Sequence, residues 1–113
     1  MIYTSNFSNL KNLDIERCLS ISIGTPKWFK GDSYDDLKPT WDIVMNHKAG
    51  KINDEEYTKI YYENILNKLN PEKIINELDN KILLCWCGKN KFCHRHIVAE
   101  WLNKFKAETC AEI

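Results

Sequence analysis

The chain has 113 residues, and its 16 Lys+Arg balance 16 Asp+Glu to a formal net charge of zero. That length suits one α/β domain over residues 1–113 and excludes a second domain with its own core. The charge balance argues against nonspecific gripping of duplex nucleic acid, and 43% hydrophobic with 28% charged residues excludes disordered, collagen-like and low-complexity classes. The longest apolar run, Ile82–Cys87, is far shorter than the roughly 20 residues of a membrane span. Met1-Ile2-Tyr3-Thr4-Ser5 lacks the basic flank and apolar stretch of a secretory leader. The expected location is therefore the cytoplasm, with thiols reduced and no membrane partner.

Ile2–Thr4 reads as a short buried strand, and Cys18–Ile23 alternates with period two until Gly24-Thr25-Pro26 breaks it. Between them, Ser8–Leu13 suits one or two helical turns serving as a crossover. Residues 25–39 mix Pro26, Gly31, Asp32 and Pro39 with Trp28, Phe29 and Tyr34, the composition of an ordered loop packed by its own rings. Thr40 is placed to cap a helix from Trp41 to about Lys48, with Gly50 ending it. Asn53 and Glu56 have capping-box spacing and open a helix to about Leu69, whose apolar stripe is Tyr57, Ile60, Tyr61, Ile65 and Leu69. Asn70-Pro71 opens another, closed by Asn80. Lys81–Trp86 is the near-continuous apolar run of a strand buried on both faces, at the centre of a sheet. From about Cys93 to Lys106, Ile97, Val98, Trp101, Leu102 and Phe105 recur at helical spacing. This order builds a small, mainly parallel sheet flanked by helices. Ligand sites in such sheets lie beyond the carboxyl ends of the strands, here Ser5-Asn6, Gly24–Lys27 and Cys87–Arg95.

Charge and chemistry concentrate at the last of these ends. From Asn53 to Asn80 there are seven acids and three lysines, whereas from Asn80 to Ala99 there are Lys81, Lys89, Lys91 and Arg95, no acid, and three of the five cysteines. On the strand, Cys85 and Cys87 share a face and Trp86 takes the other. On the following helix, His94 falls on the inward face with Val98, Trp101 and Phe105, while His96 points nearly the opposite way. A helix amino terminus attracts anions and favours thiolate, so Cys87, Cys93 and His94 are the candidate catalytic residues. Adjacent helical residues diverge by about 100°, so Cys93 and His94 are poorly placed as a nucleophile and base, and Cys87 with His94 is the better pair. Cys85 is a good buried filler. A Cys85–Cys87 disulfide would strain a strand, whereas Cys87–Cys93 is feasible if the loop folds back. No arginine stands six positions after a cysteine, which excludes a phosphatase loop.

The expected ligand is a small anion, a nucleotide or nucleic-acid-derived metabolite. Arg95, Lys89, Lys91, Ser5, Asn6, Thr25 and Lys27 would bind it, and Trp28 and Tyr34 would stack on a base. An enzyme built this way would be a thiol-dependent transferase or hydrolase acting on a nucleotide-like substrate. The alternatives are a non-catalytic ligand-sequestering or protein-interaction module, and a zinc- or redox-active cysteine site. No cofactor is expected on the first reading; on the zinc reading, Cys85, Cys87, Cys93 and His94 are the ligands.

Leu83-Leu84-Cys85-Trp86-Cys87, followed by Cys93-His94-Arg95 and Ala99-Glu100-Trp101-Leu102, resembles the signature of the domain-of-unknown-function 488 family. Short members resemble the chain also at Ile2–Phe7, Ile21–Trp28 and Leu37-Lys38-Pro39. The resemblance implies a small Rossmann-like three-layer α/β fold and carries no settled activity. Many members have an acidic residue where Cys87 stands, and an arginine soon after the second strand where this chain has Gly24-Thr25-Pro26. The Cys-Trp-Cys run with its later Cys-His is similar to other small α/β families considered for nucleotide or nucleobase processing.

Overall fold

The computed structural model describes residues 1–88 and 91–113. Its strands are β1 (Ile2–Asn6), β2 (Cys18–Ser20), β3 (Asp32–Ser33), β4 (Ile82–Cys85) and β5 (Cys110–Glu112), and its α-helices are α1 (Trp41–Lys48), α2 (Asp54–Asn64), α3 (Pro71–Glu77) and α4 (His94–Phe105). Among the described residues the five strands form one sheet in the order β3-β2-β4-β1-β5, and every pairing is parallel. β4 holds the central place and is buried at all its positions, as an unbroken apolar run requires of a strand covered on both faces.

The two faces are covered differently. Ile2, Leu83 and Cys110 pack with Tyr57 and Tyr61 of α2 and with Ile97, Val98 and Leu102 of α4. On the other face, Ile82, Leu84 and Cys18 pack with Phe7 and Phe29, flanked by Leu10 and Leu13. That second cover is a 3-10 helix, Phe7–Asn12, and the aromatic loop. The result is a three-layer α/β fold, thick on the α side and thin on the other. No helix among the described residues is long and apolar enough to cross a membrane.

The helix starts follow from their caps. Thr40 Oγ1 accepts from the Ile43 N–H, Asn53 and Glu56 exchange hydrogen bonds of 2.8 and 3.1 Å, and Asn70 accepts from the Glu72 N–H with Pro71 behind it. Gly50, at φ 75°, ends the turn after α1 in the left-handed region that favours glycine. Several elements differ from the sequence reading, among them α3, which ends at Glu77 before the expected Asn80. α2 stops at Asn64, and a 3-10 turn, Leu66–Lys68, carries its apolar stripe to Leu69. β2 stops at Ser20, although the Ile21 N–H still donates to Leu84 O at 2.9 Å. The edge strands β3 and β5 are two and three residues long, too short to show a periodicity of their own.

Leu83 is fully buried under α4. Leu83→Ala is expected to lower the unfolding free energy by about 2–5 kcal/mol, read as a lower urea midpoint at unchanged slope. An unchanged midpoint would contradict its central position.

Candidate functional site

β1 and β4 are neighbours in register, with Asn6 opposite Cys85 at their carboxyl ends. The chain leaving β1 turns into the 3-10 helix on the thin side, whereas the chain leaving β4 turns into α4 on the other. Adjacent parallel strands whose connections depart to opposite faces leave a crevice between them, the usual ligand position in an open α/β sheet.

Chemistry collects where β4 meets α4. Cys93 caps α4 with φ −157° and ψ 147°, so it is extended and lies outside the helix. The 100° divergence between helical neighbours therefore does not apply to it, and its Sγ lies 3.7 Å from His94 Nδ1. This corrects the expectation that Cys93 and His94 are held apart. Cys93 Sγ and Cys85 Sγ meet in direct contact, a convergence different from both pairings considered from sequence. One ligand atom each from Cys85, Cys93 and His94 falls within a 4.8 Å group, and all three residues are buried.

The ring of His94 is oriented from behind. Its Nε2 lies 2.6 Å from the carbonyl oxygen of Ile21, just beyond β2. A carbonyl only accepts, so Nε2 carries the proton and the lone pair of Nδ1 faces the sulfurs. Burial, reinforced by the neighbouring Arg95 charge and only partly opposed by the Ile21 bond, pushes the imidazole down to about 4, so it is neutral at neutral pH.

Arg95 is wholly buried, and every guanidinium nitrogen is engaged. Nη1 donates to Cys85 Sγ and to Cys87 O, both at 2.9 Å; Nη2 donates to Gly88 O at 3.1 Å and to Glu112 Oε2 at 2.9 Å; Nε is shared between the two Glu112 oxygens. Glu112 also accepts from Thr4 Oγ1 at 2.5 Å. Burial pushes the Glu112 carboxyl up, but the bonds from Arg95 and Thr4 and the Arg95 charge outweigh it and hold the group below its ordinary value. With its donors taken internally, Arg95 positions the turn and has no free fork for an anion.

The remaining candidates divide between two faces. Ser5 and Asn6 line a cavity of about 310 Å³ with Ser8, Asn9, Glu112 and Ile113, beside the crevice. Thr25 Oγ1 is 2.8 Å from Ser20 Oγ, and Lys27 and Lys91 are exposed. Lys89 lies outside the described residues. Trp28 packs edge-on against Phe7 on the thin side, whereas Tyr34 packs against the α-side core and donates its hydroxyl to Glu77 at 2.6 Å. Burial and Glu77 both push the Tyr34 phenol up. The two rings do not form a clamp. Trp86, which is not among the sequence candidates, lies with Trp28: it too packs on Phe7, it is 56% exposed, and its indole N–H donates to Gly24 O.

Cys87 is free and half-buried, and it lies outside the Cys85–Cys93–His94 group. Cys18 and Cys110 are buried, and burial pushes their thiols up, that of Cys110 to about 11. Glu112 and the Ile21 carbonyl also escaped sequence reasoning. A backbone carbonyl has no residue signature, and an acid in a three-residue terminal strand reads as surface.

These features define a small α/β protein with an all-parallel sheet and a cysteine–histidine cluster at its carboxyl edge. A family model described as "Active DUF488-N3 subclade" matches residues 10–106, and the chain belongs to the DUF488 family. No curated protein and no solved structure matches it.

Glu112→Gln leaves the buried Arg95 cation without a counter-charge and is expected to cost about 3 kcal/mol. A carboxylate whose folded pKa is depressed contributes stability above its unfolded pKa of about 4.3, and this is lost as pH falls through the folded value. Wild-type stability should therefore fall below that pH with a step that Glu112→Gln lacks. Superimposable acid branches in denaturant titrations would refute the ion pair's role.

Proposed function

We propose that the chain binds a small anionic, nucleotide-like ligand across the carboxyl edge of its sheet. The observation that supports this most directly is the aromatic rim. Trp28 and Trp86 are 55% and 56% exposed, and both pack edge-on against Phe7, with centroid distances of 6.2 and 5.4 Å. Rings braced from below and open above suit a base that stacks without deep burial. The exposed lysines Lys27 and Lys91 belong to the loops after β2 and β4 and would meet the anionic end. The Trp86–Gly24 bond ties those two loops together, so the rim is ordered before a ligand arrives.

A set of nucleoside monophosphates, titrated while tryptophan fluorescence is followed, tests this reading. Quenching by at least one member is expected, with a dissociation constant raised roughly fivefold or more in Trp28→Ala and unchanged in Trp41→Ala. If none binds, or if Trp28→Ala binds like the wild type, the reading fails.

A second reading, thiol-dependent group transfer, is favoured by Cys87, whose free thiol is half-buried in the same turn. Its thiolate would form a bond to an electrophilic carbon of the ligand as the leaving group departs with the bonding pair. Water or an acceptor would then displace the sulfur. Iodoacetamide at neutral pH should modify Cys87 faster than a free cysteine peptide and far faster than Cys18 or Cys110. Slower modification than the peptide would remove Cys87 as a nucleophile.

A further inference from the structure

We propose that Cys85, Cys93 and His94 form a binding site for a thiophilic divalent metal ion, zinc in the first instance. The inference goes beyond the ligand reading and does not depend on it. The donor set is two sulfurs and one imidazole nitrogen, all within a 4.8 Å group and all buried. These are the ligand types that zinc takes in Cys/His sites.

Two further contacts belong to a metal site more than to chance packing. The first orients the ring: with Nε2–H donated to the Ile21 carbonyl at 2.6 Å, Nδ1 is left as the ligating atom and the imidazole plane is held. Metal-bound histidines almost always show such a bond on the distal nitrogen. The second acts on sulfur: Arg95 Nη1 lies 2.9 Å from Cys85 Sγ, a charged donor that favours the thiolate, while Glu112 neutralises the guanidinium from its other side. Zinc with two thiolates is itself neutral, so the cluster then adds no uncompensated charge to the interior.

The backbone spacing agrees. The Cα atoms of Cys85 and Cys93 stand 7.8 Å apart, wider than the roughly 4.4–6.8 Å usual for a disulfide. Two sulfurs about 2.3 Å from a tetrahedral ion are separated by about 3.8 Å, which a wider pair of Cα atoms accommodates. The neighbouring extended cap at Cys93 directs its sulfur back towards β4 and not along the helix. Three protein ligands leave the fourth zinc position to water or a bound ligand. Cys87 lies outside the group and is not required.

The test uses the whole chain, reduced and purified without chelator. About one zinc per chain is expected by elemental analysis. Cobalt replacing it should give tetrahedral visible bands and a thiolate-to-cobalt charge-transfer band in the near ultraviolet. Cys93→Ser should lose much of that band, His94→Gln should weaken zinc binding tenfold or more, and Cys87→Ser should leave both unchanged. Reduced, folded wild-type protein that takes up neither metal would overturn the site, as would a cobalt spectrum without a thiolate band. A spectrum altered by Cys87→Ser would overturn the three-ligand assignment. The wild-type spectrum requires no variant, so a Cys93→Ser protein that fails to fold does not rescue the proposal. Nucleotide quenching of Trp28 in metal-free protein reads the ligand proposal separately.

Discussion

An arginine that gives up all its water must find equivalent partners inside the protein, and a lone buried cation costs several kcal/mol. Arg95 finds them in four places: a carboxylate on β5, a sulfur at the end of β4, and two carbonyls of the following turn. Through Glu112 and Thr4 the network reaches β1. One side chain in the first turn of α4 therefore ties the end of β4 to β5, and through Glu112 to the middle of β1. It also satisfies the carbonyls of Cys87 and Gly88, which sheet and helix ladders do not provide for. The Cys85 sulfur and the backbone of Cys87 and Gly88 are held by that guanidinium.

The unequal covers of the sheet explain why the edge is accessible where it is. The α side is closed by helices that bond to the loops beneath them, as where the Tyr61 hydroxyl donates to Leu37 O at 2.5 Å. The thin side has a six-residue 3-10 helix and an aromatic loop. Such a cover buries Phe7 and Phe29 but cannot reach over Trp28 and Trp86, so those rings are supported from below and open to solvent. The same asymmetry sends the connections from β1 and β4 to opposite faces where Asn6 stands opposite Cys85.

The five cysteines take three different roles for local geometric reasons. Cys18 and Cys110 fill the core, and their burial keeps them protonated. Cys85 and Cys93 converge because a strand position and an extended helix cap aim their sulfurs at the same point beside His94. Cys87, two residues beyond Cys85, has left the strand and keeps a free, half-buried thiol.

Much of the scaffold was legible in the sequence because its signals are local. The capping residues Thr40, Asn53 and Asn70 act on N–H groups two or three residues away, and the apolar run of Ile82–Cys85 can satisfy only a strand covered on both faces. The Cys-His-Arg helix start was likewise visible, and with it the family. What the tertiary structure alone decided are contacts whose partners are far apart in the chain. Glu112 meets Arg95 only once β5 has joined the sheet; the Ile21 carbonyl meets His94 only once β2 lies beside β4; and Trp28 meets Trp86 only through Phe7. Residue type and periodicity report which surfaces must be buried, but not which distant partner will satisfy a buried charge or orient a ring. For that reason Arg95 reads from sequence as a ligand-binding group, while the folded chain uses it as an internal cross-link.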